Sequence, residues 1–388
     1  MTIWIINPFD NLPMEGSRPQ RYWLMAEAFA RAGHETLLWT QDWNHARKVR
    51  RLPTDETCGG SDGRLFGLRY VHVPGYRKNI SLKRIWSHWR FARNWAAMTA
   101  TCNPPQLIVV SSPPLFIGRE VRRFCSRVGA RYVVDIMDAW PETFERVVPR
   151  WMLKGLRNVA RDNYRGASAV TAVARRYIDL ARSCGAICPM HLCYHGIANH
   201  DGNVGSQSDA SNNVALDAGA ASVVRLAYIG NMSLSYDLST VIDAVKCDDG
   251  LALDLAGAGP DEMALRRRAE GCGRIRFHGY LGETDLRALL GRADVGLVPM
   301  FDESCVGVPY KLADYVAAGL PVASSLHGET EELIARCEAG TTYQARDVAA
   351  FVRTVRNAVK KSAGAFRLAQ LFDANKLYDE YVAFVAAL

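Results

Sequence analysis

The sequence predicts an α/β protein built from two doubly wound domains in series. Three observations predict it. Short β-branched apolar runs alternate with amphipathic helical stretches, the βαβ rhythm of a parallel sheet covered on both faces. That rhythm breaks once, over residues 198–222, which are rich in Gly, Asn, Ser, Asp and Ala, and then restarts. The chain has 388 residues, enough for two cores at about 100–200 residues per domain.

In the first half the spacing predicts strands at 2–6, 35–40, 107–111, 131–135 and 168–173. Helices fall between them at 18–32, 118–128 and 175–183, the first closed by Gly33. In the second half strands are expected at 223–229, 251–256, 274–278, 295–298 and 321–324. Helices are expected at 238–245, 263–269, 283–292 and 311–318, with a helical tail over 365–388. The expected division is 1–197, a linker at 198–222, then 223–364 and the tail.

Composition is that of a globular protein: 49% hydrophobic, 22% charged and 10% aromatic residues, which excludes collagen-like, coiled-coil and wholly disordered chains. The opening Met1-Thr-Ile-Trp-Ile-Ile lacks a basic leader and soon meets Asn7, Pro8 and Asp10, so it reads as a strand. With ten cysteines and no export signal, a cytoplasmic setting with reduced thiols is expected. The net charge of +7 divides unevenly. Residues 1–200 carry 29 Lys and Arg against 15 Asp and Glu, and the remainder 18 against 25. A basic half fits nucleic acid, an anionic membrane surface or a phosphorylated substrate. No nucleic-acid module is recognisable, so no nucleic-acid partner is expected.

The candidate site lies in an ordered series of strand-ending glycines. They are Tyr228-Ile-Gly230-Asn231, Leu253-Asp-Leu-Ala-Gly257-Ala-Gly259-Pro, Phe277-His278-Gly-Tyr280, and Lys311-Leu-Ala-Asp314-Tyr-Val-Ala-Ala-Gly-Leu-Pro. In such sheets, ligands bind beyond the carboxyl ends of the strands. Exposed N–H groups at helix starts attract anions. The turn Cys305-Val306-Gly307-Val308 before the last helix offers more of them, and Lys311 a point charge.

This series resembles the donor-binding domain of family 4 glycosyltransferases, which have the GT-B fold: two doubly wound Rossmann-like domains facing a cleft. The opening Asn7-Pro-Phe, Gly16, Arg21 and Gly33-His-Glu are similar to that family's first segment. Asp135-Ile-Met-Asp138-Ala-Trp140-Pro-Glu142 resembles a segment of the bacterial cell-surface polysaccharide subgroup. The resemblance implies transfer of a sugar from a UDP- or GDP-sugar to a hydroxyl of a glycan or lipid-linked acceptor. It implies retention of anomeric configuration, no bound metal and no further cofactor, and a tail helix that crosses back to the first domain. It assigns donor binding to Gly16, Gly230, Asn231, Gly257, Gly259, His278, Tyr280, Val306, Gly307, Lys311 and Asp314. It assigns catalysis to Asp138 and Glu303, and acceptor binding to Arg21, His45 and Trp140.

Asp314 stands at the second acid of the family's E-x7-E motif, where a carboxylate holds ribose hydroxyls. The first acid is replaced by Val306, with Glu303 three residues earlier, and the Arg and Lys that relatives carry after Gly230 are missing. An epimerase of the same fold, or a non-catalytic partner that binds sugar nucleotides, remain the alternatives.

Residues 81–98 form an amphipathic helix candidate, with Leu82, Ile85, Trp86, Trp89 and Ala96 on one face. That face is expected to pack on the first sheet, leaving a basic rim to solvent or to anionic lipid, as in a protein peripheral to the inner face of the cytoplasmic membrane. The group Cys184, Cys188, His191, Cys193 and His195 matches no common zinc spacing.

Overall fold

The computed structural model describes residues 1–51, 63–79, 81–146, 148–198 and 223–388. They form two compact units. The first comprises Met1–Gly196, Cys305–Gly307 and Ala374–Leu388; the second comprises Ile197–Ser304 and Val308–Asp373. From residue 199 on, the expected linker lies outside the described residues.

The first sheet has seven strands: β1 (Thr2–Ile6), β2 (Glu35–Gln41), β3 (Gly67–Val71), β4 (Leu107–Ser112), β5 (Arg131–Ile136), β6 (Ala169–Ala172) and β7 (Met190–Leu192). Their order is β3-β2-β1-β4-β5-β6-β7, parallel throughout. β4 is buried at every residue, as expected for a central strand covered on both faces. On one face Trp4, Trp39, Trp95 and Phe124 pack ring against ring, with centroids 5.3–6.3 Å apart. Two strands escape the sequence pattern. β3 begins at a glycine and lies at the sheet edge, and β7 has only three residues.

The second sheet repeats the winding. Its strands are β8 (Val224–Ile229), β9 (Leu251–Ala256), β10 (Ile275–Gly279), β11 (Val295–Val298), β12 (Val322–Ser324) and β13 (Gly340–Thr342). The order is β10-β9-β8-β11-β12-β13, again all parallel. Leu226, Tyr228, Leu253 and Leu255 of the sheet meet Val241, Ile242, Val245, Phe351 and Val355 of the covering helices. The tail is two helices: Ser362–Ala369 in the second unit and Ala374–Ala386 in the first.

Arg21, expected to bind an acceptor, is instead part of the first unit's frame. It is fully buried at the start of helix Arg21–Arg31. Its Nε and Nη2 donate to the two oxygens of Asp135 at 2.8 and 2.9 Å, and its Nη1 donates to the Tyr194 carbonyl at 2.7 Å. The same carboxylate accepts from the Tyr22 hydroxyl at 2.7 Å and from Thr171 Oγ1 at 2.6 Å. Burial pushes the Asp135 carboxyl up, but the Arg21 guanidinium and these hydroxyls outweigh it and hold it below the ordinary carboxylate value. A guanidinium in such contacts has no freedom to reach a ligand.

Arg21→Met leaves a buried carboxylate without its cation and is expected to cost about 3–5 kcal/mol in denaturant unfolding. Adding Asp135→Leu should recover much of that loss. Because Asp135 is depressed, the pair stabilises fully above the unfolded carboxyl pKa of about 4 and loses its contribution as pH falls through the lower folded value.

Candidate functional site

The second sheet reverses its winding between β8 and β11, and open α/β sheets bind ligands at such points. The two strands pair only at Leu226↔Val295 and Ala227↔Gly296, then part. Helix Tyr310–Ala317 is seated against both strands by Tyr315. A Cβ on Gly296 would stand 2.2 Å from the Tyr315 ring, so only glycine admits it. The Tyr315 hydroxyl accepts from the Ile229 N–H at 2.9 Å. This seating carries Lys311 and Asp314, one helical turn apart, to the end of β8.

Lys311 is the most unusual group there. Its ammonium lies 4.1 Å from the Tyr228 ring centroid and 3.9 Å from that of Tyr236. The nitrogen is buried and makes no hydrogen bond among the described residues. Burial drives its pKa well below the ordinary lysine value, and Asp314 pulls it partly back. A β-carbon at exposed Gly230 would stand 3.4 Å from Nζ, so the backbone of this strand-ending turn lies directly beside the buried nitrogen.

The other glycines of the series serve the backbone. A Cβ on Gly257 would stand 1.9 Å from the Gly230 carbonyl oxygen, and one on Gly259 2.0 Å from that of Met232. The loops after β8 and β9 therefore lie directly on each other. The Gly230 N–H donates to the Ala256 carbonyl at 2.9 Å, and the Gly257 N–H to the Gly279 carbonyl at 2.6 Å. Those amides are spent on the carbonyls that end β9 and β10. Asn231 is exposed, and its carbonyl accepts from the Tyr228 hydroxyl at 2.5 Å.

His278, at the end of β10, pairs through Nε2 with Asp254 of β9 at 2.5 Å, while Tyr280 is exposed beyond it. Glu303 lies on the exposed loop after β11 and pairs with Arg346 at 3.5 Å. Sequence reasoning missed Tyr228, Tyr236 and Tyr315 as the groups that shape the site. Two of the tyrosines lie far from Lys311 in sequence, and no local spacing marks them.

The remaining candidates belong to the first unit. Gly16 closes a turn: its φ is +72° and its N–H donates to the Pro13 carbonyl at 2.9 Å. Val306 and Gly307 also pack in this unit. The Gly307 N–H donates to the Tyr177 hydroxyl at 3.3 Å, Arg176 donates to the Val306 carbonyl at 3.2 Å, and a Cβ on Gly307 would stand 2.3 Å from that of Ala174.

Asp138 follows β5 and organises its own turn. It accepts from the Ala139 N–H at 2.8 Å, the Trp140 indole at 3.1 Å and the Thr143 hydroxyl at 3.0 Å. Burial still raises its pKa despite those donors. Its neighbour Trp140 opens an aromatic cluster. The His88 ring lies 5.6 Å from Trp140 and 5.2 Å from Phe9, and Phe9 lies 5.3 Å from His45. The Arg84 guanidinium sits over Trp140 at 5.1 Å and over Phe9 at 5.7 Å. His45 bonds the Tyr76 hydroxyl at 2.6 Å, and burial beside Arg84 and Lys48 pushes its pKa down to about 3. His45, His88 and Trp140 thus come together at the carboxyl edge of the first sheet, rimmed by Arg84.

Of the cysteine–histidine group, His191 stacks on Phe384 at 4.9 Å, and Cys193 is buried with its thiol toward the Leu377 carbonyl. These are packing contacts within the first unit.

Residues 223–361 match the family described as Glycosyl transferases group 1. Two curated glycogen synthases, from Mycobacterium tuberculosis strains CDC 1551 / Oshkosh and ATCC 25618 / H37Rv, are each 30% identical over 154 residues. The match spans 37% of this chain and 36% of theirs, little more than a third of the curated relatives' length. Among solved structures, sucrose-phosphate synthase from Thermosynechococcus elongatus superposes with a TM-score of 0.74 at 14% identity, over 100% of both chains. HepE of Anabaena in complex with UDP and glucose gives 0.68 at 14% over 100% of both. An E. coli trehalose-6-phosphate protein bound with UDP-2-fluoro glucose gives 0.70 at 11%, over 100% of this chain and 99% of that one. The chain has the two-sheet GT-B fold, and its residues 223–361 match the model of the group 1 glycosyltransferases.

Proposed function

We propose that this protein is a retaining glycosyltransferase. It moves a sugar from a UDP- or GDP-sugar to a hydroxyl of a glycan or lipid-linked acceptor in bacterial surface polysaccharide assembly. The observation that carries the reading is the buried Lys311 amine at the end of β8, which has the Tyr228 and Tyr236 rings beside it and makes no hydrogen bond among the described residues. When the glycosidic bond to the diphosphate breaks, negative charge grows on the leaving phosphate oxygens. A lysine held in a dry site and protonated as the diphosphate binds stabilises that charge more than water does, because its position needs no reorganisation. Asp314, one turn on, favours the charged lysine and offers a carboxylate for vicinal ribose hydroxyls. The solved neighbours described with UDP, UDP and glucose, or UDP-2-fluoro glucose support a uridine donor.

The ammonium supplies the positive charge a divalent ion would otherwise bring, so the proposal includes independence from metal. On the acceptor side, the Trp140–Phe9 cluster offers ring faces for a sugar, and Arg84 a cation for an anionic group beside it. Asp138 sits in that cluster's turn with a raised pKa, the direction a proton acceptor near neutrality needs.

A thermal-shift panel of UDP, GDP, ADP, TDP and CMP, with Mg²⁺ or with EDTA, tests the donor site. One diphosphate is expected to stabilise the protein by about 2.7 kcal/mol at ~100 times its Kd, equally with and without metal. No shift with any nucleotide overturns the reading and favours a protein that binds none.

Lys311→Met should weaken that nucleotide about 30-fold, roughly 2 kcal/mol, while raising the Tm of the nucleotide-free protein. Titration calorimetry should also show affinity falling as pH rises. Lys311 is depressed when the site is open and charged when it holds diphosphate, so binding takes up a proton. A flat pH profile that matches Lys311→Met would count against the ammonium as the phosphate ligand.

A further inference from the structure

Helix Leu82–Met98 carries two apolar faces, and the one expected to pack on the sheet is the one left outside. Ser87, His88, Phe91, Ala92 and Trp95 are buried, and Trp95 joins the ring cluster on β1 and β2. Leu82, Ile85, Trp86 and Trp89 are exposed by 84%, 44%, 49% and 44%. Their spacing, i, i+3, i+4 and i+7, aligns them in one stripe along the helix. The helix itself is fixed: Ser81 caps it by accepting from the Arg84 N–H at 3.2 Å, and its inner face is held in the core.

The charges on this helix and just before it have one sign. Arg77, Lys78, Lys83 and Arg93 are exposed, and Arg90 is half-buried. Between Gly63 and Arg119 the sequence holds nine Lys and Arg and neither Asp nor Glu. Among the described residues no helix is long and apolar enough to cross a membrane.

We propose that this face docks on the surface of an anionic lipid bilayer. Tryptophans on a ridge with basic residues beside them match the polar–apolar boundary of a bilayer, where indole rings settle at headgroup depth. Lysine and arginine next to them meet lipid phosphate, each adding to the attraction. A second copy of the chain is a poor occupant, because a two-fold contact through this stripe sets the same cations against each other. The inference stands apart from the donor-site reading, since it uses none of that site's residues.

Flotation of the full chain with vesicles tests it. One set is phosphatidylcholine alone; the other contains about one third phosphatidylglycerol. The protein is expected to float with the anionic vesicles and not with the neutral ones, and to be released at high salt. Trp86→Ser with Trp89→Ser should lower the vesicle-bound fraction at least ~10-fold. Lys83→Glu with Arg93→Glu should do the same, both with the unfolding temperature and the nucleotide shift of the parent. Flotation undiminished in the tryptophan variant, or equal on neutral vesicles, overturns the proposal. So does a dimer in sedimentation that the tryptophan variant dissociates.

Discussion

One guanidinium without access to water sets the geometry of the first unit. Arg21 and Asp135 join the first helix to β5, and the partners of that carboxylate extend the link to β6 through Thr171. The Tyr381 hydroxyl of the last helix lies 3.3 Å from Thr171, which brings the chain's end into the same network. An ion pair removed from water is favourable only when nearly every donor and acceptor is met. This one has a bidentate pairing, a carbonyl and two hydroxyls, and each distance depends on the placement of a different element. The fold and the pair therefore specify each other, and the strand ends that carry the Asp138 turn are fixed as a result.

The second unit treats its buried cation in the opposite way. Lys311 has rings beside it but, among the described residues, no hydrogen-bond acceptor, and the structure bears the cost of holding it dry. The cost is sustained by rigid surroundings. Tyr315 clamps the helix to Gly296 and Ile229, and the loops after β8 and β9 rest on each other through glycine contacts that admit no side chain. Arg21 has its hydrogen-bond partners within the protein, and the Lys311 amine has none among the described residues; the proposed donor site rests on that contrast.

Much of this was legible in the sequence. The alternation of buried runs and helices gave both sheets, because a parallel strand hidden on two faces must be apolar throughout. Lys311 was legible as a cation on the helix after the Cys305–Val308 turn, and Asp314 only through the resemblance to the family's E-x7-E motif. What escaped was set by distance along the chain. Arg21 and Asp135 are separated by 114 residues, and nothing local marks either as the other's partner. Gly257 and Gly259 were legible as glycines, but their reason, a backbone oxygen from another strand's loop, was not. Helix Leu82–Met98 was legible as amphipathic, yet both faces hold tryptophan. Periodicity cannot say which of two apolar faces the rest of the protein covers.

That helix joins two environments across its own width of about 10 Å. Arg84 and His88 on its inner side meet Phe9 and Trp140, while the Trp86–Trp89 ridge stands on its outer side. A protein resting on that ridge searches a plane rather than a volume. A substrate held in the same plane by a hydrocarbon tail then meets the inner cluster at a local concentration set by the membrane area, not by the surrounding solution. The thickness of a single helix becomes the ruler that sets how far such a substrate's head must reach.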